Sequence, residues 1–292
     1  MVRFPRGRGR MGERRSMRLD CAGKVLDLQR PAVMGVLNLT PDSFSGDGLG
    51  NDVAAACERA LALEAAGAAI IDIGGESTRP GAAPVSIQEE LSRVLPVIER
   101  LAPQLRIPIS IDTRQAPVMR AAVAAGAGLI NDIAALREPG ALTAAAELGV
   151  PVALMHMQGQ PQTMQRDPKY TDVVAEVAVF LRRRVEACRE AGIAENRLLL
   201  DPGFGFGKTP EHNLALLRGL PELAALGFPL LVGLSRKSLI GAVTGAPVGA
   251  RLGGSIALAV LAAQRGARLI RVHDVADTVQ ALAMLDALAH AP

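Results

Sequence analysis

Apolar and polar positions alternate in blocks along most of the chain. Short apolar runs fall at residues 33–37, 69–73, 108–111, 129–133, 152–155, 198–200, 230–234 and 269–272. Runs of this length, rich in Ile, Leu and Val and bounded by turn residues, predict buried strands. Ala-rich or amphipathic stretches of helical length lie between them. In the longest, Val173, Val177, Leu181, Val185 and Cys188 recur at spacings of three and four and predict one apolar helix face. Gly67, Gly126, Gly149, Gly192, Gly227 and Gly266 each stand just ahead of a run, where a helix should end. Upstream, residues 18–30 alternate around Ala22-Gly23-Lys24 and predict a small hairpin.

Strand and helix thus alternate eight times, with no linker wide enough to divide the domain. Runs apolar on both faces suit parallel strands covered by helices. Eight units in about 260 residues fit a closed (β/α)8 barrel, the TIM-barrel architecture, here with a short N-terminal hairpin. An open doubly wound sheet shares the same periodicity and stays possible at this level.

Composition changes this picture little. Of 292 residues, 49% are hydrophobic, with 6 Phe, 1 Tyr and no Trp, which is ample material for a core. Cys21, Cys57 and Cys188 are odd in number and widely spaced, which argues against a disulfide framework or a zinc site and suits a cytoplasmic protein. No apolar run approaches a membrane span. The net charge of +3 is uneven, because residues 1–18 hold seven Arg against Glu13 alone. With Phe4 as its one aromatic and no base-reading pattern, the basic stretch reads as a disordered tail over residues 1–17, not as a nucleic-acid arm. The single domain is expected over 18–292.

The candidate chemistry gathers at the C-terminal ends of the runs: Asn38, Glu76, Asp112, Asn131, Asp132, His156, Asp201, Lys237, Arg271 and His273. A barrel brings all these ends to one mouth, where barrel enzymes keep their active sites. Arg271 and His273 are two apart and share one strand face, so they suit an anionic group; a surface ion pair with Asp274 is the alternative. Ser235-Arg236-Lys237-Ser238 closes the seventh run ahead of a helical turn. Asp112 and Asp201, with Asn131, form a set of acceptors for a planar amidine-like heterocycle. A helix cap for Asp112 and a turn role for Asp201 are the structural alternatives. His156 alternates against Met155 and reads as structural.

Residues 198–209 read LLLDPGFGFGKT. The Gly-Lys-Thr ending resembles a phosphate loop, but the opening glycine of that motif would fall at Pro202, which has no backbone N–H to donate. Lys208 and Thr209 are therefore expected to be loop structure. Residues 38–50 and 74–84 are Gly- and Pro-rich loops fit to cover a mouth. Asn38 and Asp42 offer oxygen ligands only, which would suit Mg2+ held mainly by substrate phosphates.

Together, VMGVLNLTPDSFSGDG, IIDIGGESTRPGA, SIDT, INDI, LMHMQG, LLLDPGFGFGKT, LVGLSRKSLIG and IRVHD resemble the successive motifs of the bacterial dihydropteroate synthase family, in that family's order. The likeness runs from about residue 18 to about residue 288; Arg114 departs from it, where the family commonly has Ser, Tyr or Lys. It implies condensation of a dihydropterin diphosphate with p-aminobenzoate, giving dihydropteroate and pyrophosphate. It further implies Mg2+ as cofactor, sulfonamide sensitivity, a homodimer, and no nucleic-acid or membrane partner. Carried over residue by residue, Asp112, Asn131, Asp201 and Lys237 would hold the pterin edge, with Met155, Phe206 and Arg271 around its ring. Asp112, Asp201, Lys237 and Arg271 would be the catalytic set. Asn38 would help hold Mg2+, and Thr78, Arg79, Arg271 and His273 the diphosphate. Phe44, Pro80, Lys237 and Ser238 would frame the p-aminobenzoate pocket. A catalytically silent pterin-binding paralogue, or a methyltetrahydrofolate-type methyltransferase barrel, are the competing readings.

Overall fold

The computed structural model describes residues 17–40, 52–77 and 85–290. Phe44, Thr78, Arg79, Pro80, Asp42 and all of the basic tail except Met17 lie outside the described residues. A two-stranded antiparallel hairpin, β1 (Arg18–Cys21) and β2 (Lys24–Asp27), comes first. Eight parallel strands follow: β3 (Ala32–Asn38), β4 (Ile70–Gly74), β5 (Ile109–Asp112), β6 (Leu129–Asp132), β7 (Val152–Met155), β8 (Leu198–Asp201), β9 (Leu230–Gly233) and β10 (Ala267–Val272). Each pairs with its neighbour in sequence, and β10 pairs back onto β3, so the barrel is closed. The open-sheet alternative is excluded by that last pairing.

The helices wrap the outside: α1 (Val53–Ala65), α2 (Ile87–Leu101), α3 (Ala116–Ala124), α4 (Ala141–Leu148), α5 (Val173–Glu190), α6 (Pro210–Arg218), α7 (Leu220–Ala224), α8 (Ser238–Thr244), α9 (Leu252–Gln264) and α10 (Val275–Ala289). Their starts are set by local chemistry. Asp52, Ser86 and Asp172 accept from first-turn N–H groups of α1, α2 and α5, and Thr209 forms a capping box with His212 at α6. The face predicted for α5 is the buried one, from Val173 to Cys188. All six glycines predicted to end helices have positive φ, between 67° and 116°. Among the described residues no helix is long and apolar enough to cross a membrane.

Strand alternation divides the barrel interior into two regions. Near the strand starts the inward residues are apolar: Met34, Ile70, Leu129, Leu199, Leu231 and Leu269 form a floor. The hairpin closes that floor from below, with Leu19, Cys21, Leu26 and Leu28 packed into the same cluster. Lys24 ties the hairpin to the helical layer through hydrogen bonds to the carbonyls of Ala102 (3.0 Å) and Leu105 (2.7 Å). One turn of the pleat higher the inward residues become polar: Asp72, Ser110, Asn131, Asp201 and Arg271. Four ladders continue one residue beyond their apolar runs, so Asn38, Gly74, Asp112 and Asp201 are strand residues. The ladder is made by backbone groups and does not stop where the side chains turn polar.

Gly128 lies where the hairpin meets the barrel. A Cβ there would stand 2.4 Å from the Cys21 carbonyl oxygen. Gly128→Ala is expected to destabilise the fold by about 1–3 kcal/mol. A urea midpoint equal to that of the unsubstituted chain would show that the hairpin is not held against the floor.

Candidate active site

Above the polar layer, the strand ends open into a cavity of about 640 Å³, a size suited to a small organic ligand. Of the predicted site residues, Asn38, Asp112, Asn131, Met155, Asp201, Phe206, Lys237, Ser238, Arg271 and His273 all line it. The barrel therefore brings together side chains from seven strands or their following loops.

The centre of the site is Arg271. Its Nε donates to Asp72 Oδ2 at 2.6 Å, and its Nη2 donates to Asp112 Oδ2 at 2.9 Å. Asp72 is fully buried and also accepts from Ser110 Oγ (2.6 Å) and Asn131 Nδ2 (3.1 Å). One carboxylate thus orients both the guanidinium and the amide. Gly233 sits opposite Arg271 in the ladder. Burial raises the Asp112 pKa and the neighbouring Asp72 carboxylate adds to this, while Arg271 opposes both. Asp112 does not cap a helix: the residue flanking α3 is Gln115, whose N–H is taken by Thr113 Oγ1.

Asp72 was not among the predicted residues. It lies in the middle of an apolar run, where the eye looks for packing and not for chemistry. The signal was nonetheless present, because an acid inside a strand buried on both faces needs a cationic or hydrogen-bonding partner.

A second group lies around β8. Asp201 Oδ1 accepts from the Gly203 N–H at 2.7 Å, so it holds the turn as well as facing the cavity. Burial raises its pKa to about 6, against the pull of that N–H and of Lys237. Lys237 reaches across from the end of β9, donates to the Phe204 carbonyl at 2.6 Å and stands 4.4 Å from the Phe206 ring centre. Burial lowers its pKa to about 8, opposed by Asp201. The surface ion pair considered for Arg271 goes to another residue. Asp274 is bound by Arg236, with Nε at 3.1 Å and Nη2 at 2.6 Å. His273 Nδ1 lies 3.0 Å from Ser235 Oγ.

The profile of the family described as pterin binding enzyme matches residues 34–273. Dihydropteroate synthase of Escherichia coli (strain K12) is 54% identical over 271 residues, covering 93% of this chain and 96% of that protein. The solved structure of Xanthomonas albilineans dihydropteroate synthase with 4-aminobenzoic acid is 57% identical, with a TM-score of 0.89 over 95% of this chain and 100% of that one. The Yersinia pestis dihydropteroate synthase in a sulfonamide drug complex is 54% identical, with a TM-score of 0.92 over 94% and 100%. The chain belongs to the dihydropteroate synthase family.

Within that family likeness, one expectation takes a different form in the structure. The Mg2+ expected at Asn38 is corrected. Among the described residues no group of three or more His, Cys, Asp or Glu is placed to hold a metal ion. The acids that might have served are matched within the protein: Asp72 and Asp112 by Arg271, and Asp201 by a backbone N–H with Lys237 acting on it. Arg114, the residue that departs from the family pattern, bridges Glu76 (3.1 Å) and Glu138 (3.4 Å) at the rim. His156 is buried beneath the β7 end, and burial lowers its pKa to about 3, with the Lys208 charge adding to this.

Asp201 makes the cost of such a site measurable. Its folded pKa lies above the ordinary 3.8, so the ionised form is disfavoured by folding. The penalty is complete above pH 6, about 3 kcal/mol, and disappears as pH falls toward 4. Asp201→Asn is therefore expected to raise stability at pH 8 and to lose that gain at pH 4, read from urea midpoints at the two pH values. A loss of stability at pH 8 would contradict the direction.

Proposed function

We infer that this cavity performs the condensation that defines the family. The diphosphate ester of a 6-hydroxymethyl-dihydropterin loses pyrophosphate, and the amine of p-aminobenzoate takes its place. The C–O bond to the diphosphate breaks with its electron pair leaving on oxygen. The arylamine lone pair forms the new C–N bond, and the amine proton passes to solvent. The observation that carries this reading is the convergence of Asp112, Asn131, Asp201, Lys237 and Arg271 on one cavity, in a chain 54% identical to a dihydropteroate synthase.

In the proposed arrangement the two carboxylates accept from the amino and ring N–H groups of the pterin, Asn131 both donates and accepts, and Lys237 donates to a ring acceptor. Phe206 and Met155 lie against the ring. As pyrophosphate departs, the methylene carbon becomes electron-poor and the ring shares the charge. The negative charge of Asp201 and Asp112 favours that state electrostatically. No strong nucleophile is called for, since the arylamine supplies the electrons. Arg271 and His273, with Thr78 and Arg79, would take the charge of the leaving diphosphate. Phe44, Pro80, Lys237 and Ser238 would frame the p-aminobenzoate.

A homodimer is also proposed. Leu261 on α9 is exposed, as are Met284 and Leu288, one turn apart on α10. Such apolar exposure fits a surface covered by a second copy, and sedimentation should report twice the 30.5 kDa of the chain. Sedimentation at the monomer mass would remove this proposal.

Two kinetic outcomes test the reaction itself. Pyrophosphate release sustained to product should require both substrates, and sulfonamides should compete with p-aminobenzoate. Protein that binds pterin without turnover would be a silent paralogue, and methyl transfer from a methylfolate would indicate the other barrel chemistry. Asp201→Asn should weaken pterin binding by roughly 10-fold to 100-fold, since a charged hydrogen bond contributes about 1.5–3 kcal/mol. Unchanged affinity by calorimetry would dismiss the carboxylate from the pterin edge.

A further inference from the structure

The Gly-Lys-Thr sequence that ends the β8 loop has no part in the reaction as described, yet its lysine is among the least exposed in the chain. Lys208 is 3% exposed, so its ammonium cannot meet a phosphate in the cavity. It points inward beneath its own loop. Nζ donates to the Gly203 carbonyl at 2.8 Å and the Phe206 carbonyl at 3.0 Å, and lies 3.0 Å from His156 Nδ1. An ammonium has three protons, and the three nearest acceptors are these two carbonyls and Nδ1, with the His156 carbonyl farther off at 3.5 Å. The lowered pKa keeps the imidazole neutral, and Nδ1 accepting from the ammonium places its proton on Nε2.

The loop so gathered has an unusual path. Gly203, Gly205 and Gly207 all take left-handed φ, at 68°, 80° and 62°. At Gly203 a Cβ would lie 1.9 Å from the His156 carbonyl oxygen, so the loop rests directly on the β7 end. Left-handed glycines carry no preference for one path over another, and something else must choose it. The acceptors that Lys208 binds bracket the two residues that meet Lys237: the Phe204 carbonyl, which takes the Lys237 ammonium, and the Phe206 ring, which lies beneath it. Asn213 Oδ1 and Tyr170 Oη hold the same loop from outside, at the Gly205 N–H and the Gly207 carbonyl.

We propose that Lys208 is a positioning residue. Its ammonium, with His156 as the third acceptor, fixes the glycine loop in the one path that presents the Phe204 carbonyl and the Phe206 ring to Lys237. The loop carbonyls surround a cation supplied by the chain itself. Lys208 does not touch substrate and acts only through the loop. This rests on the proposed placement of pterin beside Phe206 and Lys237.

The test uses the full chain and calorimetric binding of a dihydropterin that lacks the diphosphate. Lys208→Met should raise its Kd about tenfold or more while the thermal transition stays cooperative. His156→Asn keeps an oxygen where Nδ1 stands and should bind within about twofold of the unsubstituted protein; His156→Leu, which keeps the backbone carbonyl but offers no side-chain acceptor, should weaken binding about fivefold to tenfold. If Lys208→Met does not fold, the comparison of the two His156 variants decides. Equal Kd for Asn and Leu, or an unchanged Kd for Lys208→Met, would overturn the inference and leave Lys208 as packing. Failure of the unsubstituted chain to bind the pterin would instead overturn the placement of the pterin, and this inference with it.

Discussion

Everything in the upper half of the barrel depends on how one guanidinium is held. Arg271 enters the interior from β10 and meets Asp72 from β4 and Asp112 from β5, at 2.6 and 2.9 Å. The fully buried Asp72 charge is tolerated only where its hydrogen bonds are met and its partners are fixed. The strands provide that, since all three residues stand on backbone ladders and not on loops. Asp72 extends the arrangement sideways to Asn131 and Ser110. Arg271, Asp72, Asp112, Ser110 and Asn131 are therefore one connected network beneath the cavity. Below it, the apolar layer and the hairpin close the barrel against water.

The groups that face the cavity are held away from their ordinary ionisation. Burial pushes Asp112 and Asp201 up and Lys237 down. None of these shifts helps the fold, and each is reduced by a partner of opposite charge. A protein that needed only a stable barrel would fill these positions with apolar side chains. Their presence fits the proposed binding of a heterocycle through charged acceptors and donors. The β8 loop shows the same priorities, with a buried ammonium shaping three glycines around the lysine that faces the cavity.

Much of this was legible in the sequence, for physical reasons that differ between residues. Apolar runs of strand length and glycines at helix ends are local signals, and the strands they predict lie within about two residues of those observed. Asp201 and Lys237 stood out because a polar residue just past an apolar run is conspicuous and a barrel gathers such ends, and Asn131 and Arg271 were grouped with them from within the last residues of their runs. Asp72 was missed because a lone acid inside an apolar run was passed over as part of the strand, and its contacts show which partners it meets. The magnesium expected at Asn38 came from the family likeness and from oxygen-bearing side chains. In the described residues the acids near it are already engaged by Arg271 and Lys237, and side-chain chemistry alone could not show that.

By itself, the sequence determined the element order, the helix ends and the family, because these follow from local periodicity, backbone stereochemistry and motifs read in order. Only the tertiary structure decided which charges meet. Asp72 and Arg271 are 199 residues apart, Asp112 and Arg271 are 159 apart, and the pairings arise when β10 closes onto β3. The same holds for Lys208. Read along the chain it completes a phosphate-like Gly-Lys-Thr; folded, it turns beneath its own loop toward His156, 52 residues earlier. Local pattern sets where a side chain starts, and the closed barrel sets which partner it reaches.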